Sequence, residues 1–267
     1  MKFLNREEAP LSQEMWALID QSMMALLAKR LKMRSVVDFD EAYDFTTDAV
    51  ATGKVKSVKG PGGVKLGVRE PVLMTEVRYD FSISKSILDA MKRDLADVDD
   101  TPMREAANAF GAAENGMILD GLGKVGGPGL LASLTQKTLK ASGAKELMVA
   151  AARSMGMFNN EFVDGPFKLL VSSATFAGLV TEAEGGETMK QKIENIFGAG
   201  AIVITDAVGD DKALVISQRG GDFIFYSGLD VQVGYDSESG DALNFFLIES
   251  GAFRVINPEA AVRIDLS

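Results

Sequence analysis

Val55-Lys56-Ser57-Val58-Lys59-Gly60-Pro61-Gly62-Gly63-Val64-Lys65-Leu66-Gly67-Val68-Arg69 alternates apolar with basic or small side chains on both sides of a glycine-proline turn. A period of two flanking such a turn predicts a long antiparallel hairpin. The extended character runs from Thr52 to Ile83, where Val77, Tyr79, Phe81 and Ile83 alternate as a further strand with one buried face. An arm of this kind has too few partners to be stable alone. Its apolar side is therefore expected to pack on another surface, such as a neighbouring subunit.

Upstream of the arm, Ser12 is placed to cap a helix in which Trp16, Ile19, Met23, Leu27 and Leu31 recur every three or four residues. This helix is expected to end near Lys32 to Arg34, with Val36-Val37 extended and Asp38-Phe39-Asp40 acidic. Downstream, Ser84 opens a helix through Leu88 and Met91, and an acidic loop covers Asp94 to Asp100. Thr101-Pro102, with proline at the first helical position, starts a long helix to about Leu122. Its small residues Ala106, Ala107, Ala109, Ala112 and Ala113 allow close packing, and another helix is expected from Ala144 to Phe158. The last hundred residues read as Phe167 to Val171 (strand), a helix capped near Ser172 or Ser173, a glycine loop at Glu182 to Glu187, and a helix to Phe197. Strands are then expected at 201–205, 213–218, 222–226, 231–235, 242–249, 253–256 and 261–265. The whole is an α+β pattern with a strand-rich end.

Composition narrows the chemistry. The chain contains neither cysteine nor histidine. That removes disulfides, thiolate or imidazole metal sites, cysteine nucleophiles and Ser-His-Asp triads. Acidic residues outnumber basic ones 38 to 28, a formal charge of −10, which disfavours nucleic acid as a partner. Met1 to Glu8 lacks an apolar signal core, and no segment reaches the roughly 18 apolar residues of a membrane span. A cytoplasmic protein with no membrane partner and no cofactor is expected.

Three motif matches fail on context. Gly121-Leu122-Gly123-Lys124-Val125-Gly126 has the dinucleotide-binding letters but follows a helix, where that motif must follow a strand. Ser82-Ile83-Ser84-Lys85 fits a Ser-Lys hydrolase, yet its companion motifs are missing and the serines stand where a strand hands over to a helix. Asp97, Asp99 and Asp100 lack the glycine and glutamate of a calcium loop.

A dispersed series of motifs points elsewhere: Phe3-Leu4, Arg6, Ala9-Pro10-Leu11, Trp16 with Ile19-Asp20, and Arg34 with Val37-Asp38. It continues in Gly165-Pro166, Arg219-Gly220-Gly221-Asp222, Gly228 with Asp230, Gly234-Tyr235, Phe253 with Val255, and Asn257-Pro258-Glu259-Ala260. In this order the series resembles the encapsulins, the linocin-type bacteriocin family, from the first residues nearly to the last. Two positions depart: Leu229 stands where a polar residue is usual, and Gly251 where an aromatic or β-branched one is.

The resemblance implies the tailed-phage major capsid fold. Residues 1–51 would hold the N-terminal helix and the start of the peripheral domain, 52–83 the extended loop, and 84–131 peripheral helices. Residues 132–221 would form the axial domain, and 222–267 return strands mainly of the peripheral domain. It further implies a non-enzymatic shell of about sixty copies around a cargo protein, such as a ferritin-like protein or a dye-decolourising peroxidase. A C-terminal cargo peptide would dock on Leu27, Leu31, Arg34, Val37, Asp38, Val231 and Val233. The loop of Glu182, Glu184, Gly185, Gly186 and Glu187 would line a five-fold pore. A prophage capsid protein packaging DNA shares the fold and is the alternative; a Ser-Lys hydrolase using Ser82 and Lys85 is a remoter one.

Overall fold

The computed structural model describes residues 2–95 and 97–267. Met1, and Ala96 within the acidic loop expected over 94–100, lie outside the described residues. Ser12 caps α1 (Gln13–Leu27) by accepting from the Met15 amide at 3.3 Å. A 3-10 turn (Met33–Ser35) precedes β1 (Asp38–Asp40) and β2 (Ala49–Val50), then β3 (Val55–Lys59), β4 (Lys65–Arg69), β5 (Val72–Leu73) and β6 (Thr75–Ser84). Ser84 caps α2 (Lys85–Lys92), and α3 (Thr101–Leu119) leads through the single turns α4 (Gly123–Gly126) and α5 (Leu130–Ser133) to β7 (Leu139–Ala141) and α6 (Gly143–Asn160). Next come β8 (Phe167–Val171), α7 (Ser173–Thr181), β9 (Ala183–Glu184), β10 (Glu187–Thr188), α8 (Met189–Phe197) and β11 (Ile202–Ile204). The chain ends in β12 (Lys212–Ser217), β13 (Phe223–Ser239), β14 (Ala242–Val255) and β15 (Ala261–Leu266).

Two sheets organise these elements. One has the order β1-β13-β14-β6, antiparallel except that β1 runs parallel to β13. The face carrying Phe81, Ile83, Val231, Val233, Phe245 and Leu247 packs with α1 and α3. The other sheet, β11-β8-β12-β15-β7, is buried against α6, α7 and α8. Its apolar runs Leu169-Leu170-Val171 and Ala213-Leu214-Val215-Ile216 are wholly buried, as central strands require. Among the described residues, no helix is long and apolar enough to cross a membrane.

The hairpin expectation holds with tighter limits. β3 and β4 pair from Val55↔Arg69 to Lys59↔Lys65, and both strands are exposed along their whole length. Gly62 and Gly63 adopt positive φ in the turn, which glycine does without strain. β6 does not belong to this ribbon; it is an edge strand of the four-stranded sheet. Of its odd positions Phe81 and Ile83 are buried, Val77 is half-buried and Tyr79 is exposed.

Two other expectations change. Strands expected at 222–226 and 231–235 are one strand, β13, and those at 242–249 and 253–256 are β14. Gly228 and Gly251 fall in the gaps between those expected strands, but in a strand glycine also marks close approach of a neighbour. Rings of Phe246 and Phe225 lie against Gly234 and Gly251, where a Cβ would collide. This accounts for Gly251: the Phe225 ring fills the space of a larger side chain. Leu229 is likewise buried, with Leu4, Phe246 and Ile248.

The first helix stops earlier than its apolar spacing suggests. Asn115 on α3 accepts from the Met33 amide at 3.0 Å and donates to the Arg30 carbonyl at 2.8 Å, pinning a turn onto α3. Leu31 therefore lies beyond α1. Its amide still bonds the Leu27 carbonyl, and its side chain stays in the same cluster.

Candidate functional site

The seven residues expected to hold a cargo peptide fall into three environments. Leu27, Val231 and Val233 are buried, and with half-buried Leu31 they join one cluster with Trp16, Ile19 and Met23. Arg6 ties this cluster together: its Nε donates to the Val233 carbonyl at 2.9 Å, its guanidinium pairs with Asp20, and it stacks 4.5 Å from the Trp16 ring centroid. The motif residues Arg6, Trp16 and Asp20 are thereby one unit that fixes α1 on β13.

Val37 and Asp38 sit apart, on β1 and the residue before it. Val37 packs against the cluster of the five-stranded sheet, and Asp38 accepts from the Gly221 amide at 2.6 Å. Arg219 donates to both oxygens of Asp222 at 2.9 and 3.0 Å, and Asn257 donates to the same carboxylate. These contacts make the Arg219-Gly220-Gly221-Asp222 motif a rigid corner. A cleft of about 220 Å³ opens there, between Val37, Asp38, Pro166, Gln218 and Gly220.

Arg34 stands between the two groups. It donates to Glu114 on α3 at 2.7 Å, to Asp230 on β13 at 2.5 Å, and to Glu249 on β14. Its guanidinium also lies 4.6 Å from the Phe39 ring centroid. Burial opposes its charge, but hydrogen bonding to Glu114 and the fields of Glu249 and Glu114 hold its pKa above the usual arginine value. Burial pushes Glu249 well above the ordinary carboxylate range, and the neighbouring Glu114 adds to the effect. The composition-based reading missed Glu114 and Glu249. Their signal was a charge inside an apolar stretch, Phe245-Phe246-Leu247-Ile248-Glu249 and Phe110-Gly111-Ala112-Ala113-Glu114, where burial demands a partner.

The glycine loop is a hairpin, β9 with β10, turning on Gly185 and Gly186 at positive φ. Glu182, Glu184 and Glu187 are exposed. Glu184 pairs with Lys145 at 2.7 Å and Lys192 at 3.3 Å, and the hydrogen bonds to these lysines hold its pKa below the ordinary value. Glu187 accepts a longer hydrogen bond from Asn195.

The residues of the motif matches set aside on context are engaged in other contacts. Ser82 donates to Asn244, whereas Lys85 pairs with Glu238 at 2.5 Å, and that hydrogen bond raises its pKa. A lysine base needs the opposite shift. Gly121 to Gly126 follows α3, and Gly121 bridges to Pro128 to close a tight loop. Asp99 accepts from the Thr101 amide at the start of α3.

A family model described as an encapsulating protein for peroxidase matches residues 1–252. The chain belongs to this family, the encapsulins. It is 28% identical over 268 residues to the Type 1 encapsulin shell protein of Brevibacterium linens, covering all of both chains. It is 29% identical to that of Rhodospirillum rubrum, covering 98% of this chain and 96% of the relative. Among solved structures, a virus-like particle from Pyrococcus furiosus superposes with TM-score 0.61 at 18% identity, covering 91% of this chain and 98% of that one. The capsid of the Myoviridae phage XM1 does so with TM-score 0.56 at 10% identity, covering 86% and 90%. An encapsulin from Synechococcus elongatus gives 0.52 at 10%, covering 88% and 86%. The fold is that of tailed-phage capsid proteins, and the encapsulin relatives are named as shell proteins.

Proposed function

We propose that this encapsulin is the subunit of a closed icosahedral shell, of about sixty copies, that encloses a cargo protein inside the cell and performs no chemistry itself. The ribbon carries the reading. Val58, Leu66 and Val68 share one face of it, and their exposures of 41, 48 and 54% leave that face open in the subunit. Burying it on a neighbour would supply the partner that a two-stranded ribbon lacks. In the capsid arrangement the ribbon is the extended loop, the four-stranded sheet with α1 and α3 the peripheral domain, and the five-stranded sheet the axial domain.

The cargo would hold on by a C-terminal peptide lying along Leu31, Val37 and Asp38, which are half-buried. Leu27, Val231 and Val233 would form the floor beneath it, with Arg34 bracing the joint. The β9–β10 hairpin would rim a pore for small molecules or ions. Light scattering and electron microscopy of the purified protein test the reading: hollow particles with a co-purifying protein support it. A small oligomer alone overturns it, and nuclease-resistant nucleic acid inside the particles would favour a DNA-packaging capsid.

A further inference from the structure

Two carboxylates, Glu114 on α3 and Glu249 on β14, are completely buried around the single guanidinium of Arg34. Each spends one oxygen on Arg34, and each keeps a second oxygen with no hydrogen-bond partner, Glu114 Oε1 and Glu249 Oε2. The third carboxylate facing Arg34, Asp230 on β13, is half exposed and solvated. The neighbouring strand β6 sets uncharged Val77 opposite Glu249. One buried cation therefore confronts two buried carboxylates, and ionising both leaves a negative charge without compensation.

We propose that Glu114 and Glu249 hold one proton between them, and that its loss loosens the joint through which Arg34 fastens the turn after α1 to the central sheet. The arrangement of orphan oxygens fits this occupant: a protonated carboxyl donates to a facing carboxylate, satisfying an otherwise stranded acceptor. Among the described residues no group of three acidic side chains is disposed to hold a metal ion. Glu249 is the main seat of the proton, since burial and the adjacent Glu114 both raise its pKa. In the unfolded chain the same group ionises near 4.5. The folded state thus binds more protons than the unfolded state above that pH, so stability falls as pH rises toward the folded pKa and levels off beyond it.

The inference concerns the subunit and stands whether or not shells form. Infrared spectra of the full-length protein at pH 7 should show the carbonyl band of a protonated carboxyl, when exposed carboxyls are ionised. The band should vanish in Glu249→Gln and fade in wild type at alkaline pH. Thermal unfolding from pH 5 to 9 supplies the second readout. The wild-type unfolding constant should rise by up to about tenfold per pH unit relative to Glu249→Gln, whose amide mimics the protonated form. Absence of the band in wild type at pH 7 overturns the proposal, and that measurement decides even where the variant fails to fold. Parallel pH profiles for wild type and a folded Glu249→Gln overturn it equally.

Discussion

A Cβ placed on Gly111 would lie 2.6 Å from the Cβ of Arg30. The turn after α1 approaches α3 at this glycine, with Asn115 one helical turn further on bonding the backbone at Arg30 and Met33. Gly111→Ala gains helix propensity, about 1 kcal/mol. The steric cost of overpacking so close to backbone is about 1–3 kcal/mol, and it wins. The variant should be destabilised by about 1 kcal/mol, read as a lowered denaturation midpoint; an unchanged or raised midpoint would show that the turn can move aside.

Much of this fold was legible because period and punctuation agree. Ser12, Ser84 and Ser172 cap the helices their positions suggested, and alternation located the ribbon and most strands. What stayed hidden depends on distant partners. Nothing local to Lys29–Arg30–Leu31 announces that Asn115 will end the helix, and Gly251 reads as a break until the Phe225 ring across the sheet is seen. The candidate site was half legible for the same reason. Leu27 and Val233 show their apolar character in sequence, while the role of Arg34 depends on carboxylates roughly 80 and 215 residues away, at Glu114 and Glu249.

The ribbon supplies a prediction in which assembly and folding separate. Replacing Val58, Leu66 and Val68 by Asp alters only positions already exposed in the subunit, so the unfolding midpoint should change little. Three charges on the face proposed to meet a neighbour should abolish particles, leaving small soluble species in size-exclusion chromatography. Intact particles from the triple variant would remove the ribbon from any interface.

Arg34 and Leu31 should fail in different ways. Arg34→Ala leaves the buried Glu114–Glu249 pair without its cation and should lower subunit stability by about 3–5 kcal/mol, visible in denaturant unfolding without any cargo present. Leu31 is half-buried at the edge of its cluster, and Leu31→Asp is expected to yield particles that assemble but purify without cargo. Asp38→Ala loses one hydrogen bond to the Gly221 amide, a contact of about 1 kcal/mol, and should reduce loading only partly. Full cargo occupancy in the Leu31→Asp particles, measured by mass spectrometry, would place docking elsewhere.

The β9–β10 hairpin refines what its three glutamates can do. An anionic ring at a symmetry axis attracts cations through its uncompensated charge. Glu184 is compensated within its own subunit by Lys145 and Lys192, so its field at a distance is largely cancelled. Glu182 has no ion-pair partner among the described residues, and Glu187 meets only the neutral amide of Asn195. Changing Glu184 alone to Gln should therefore leave the two lysines in excess and slow the entry of Fe²⁺ by electrostatic repulsion. Changing Lys145 and Lys192 to Gln should expose the Glu184 charge and speed entry. Both effects should shrink as ionic strength rises, because the Debye length falls to about 3 Å at 1 M salt. Stopped-flow uptake by intact particles at two salt concentrations measures all four quantities. Rates indifferent to these charges at low salt would mean that ions pass through another opening.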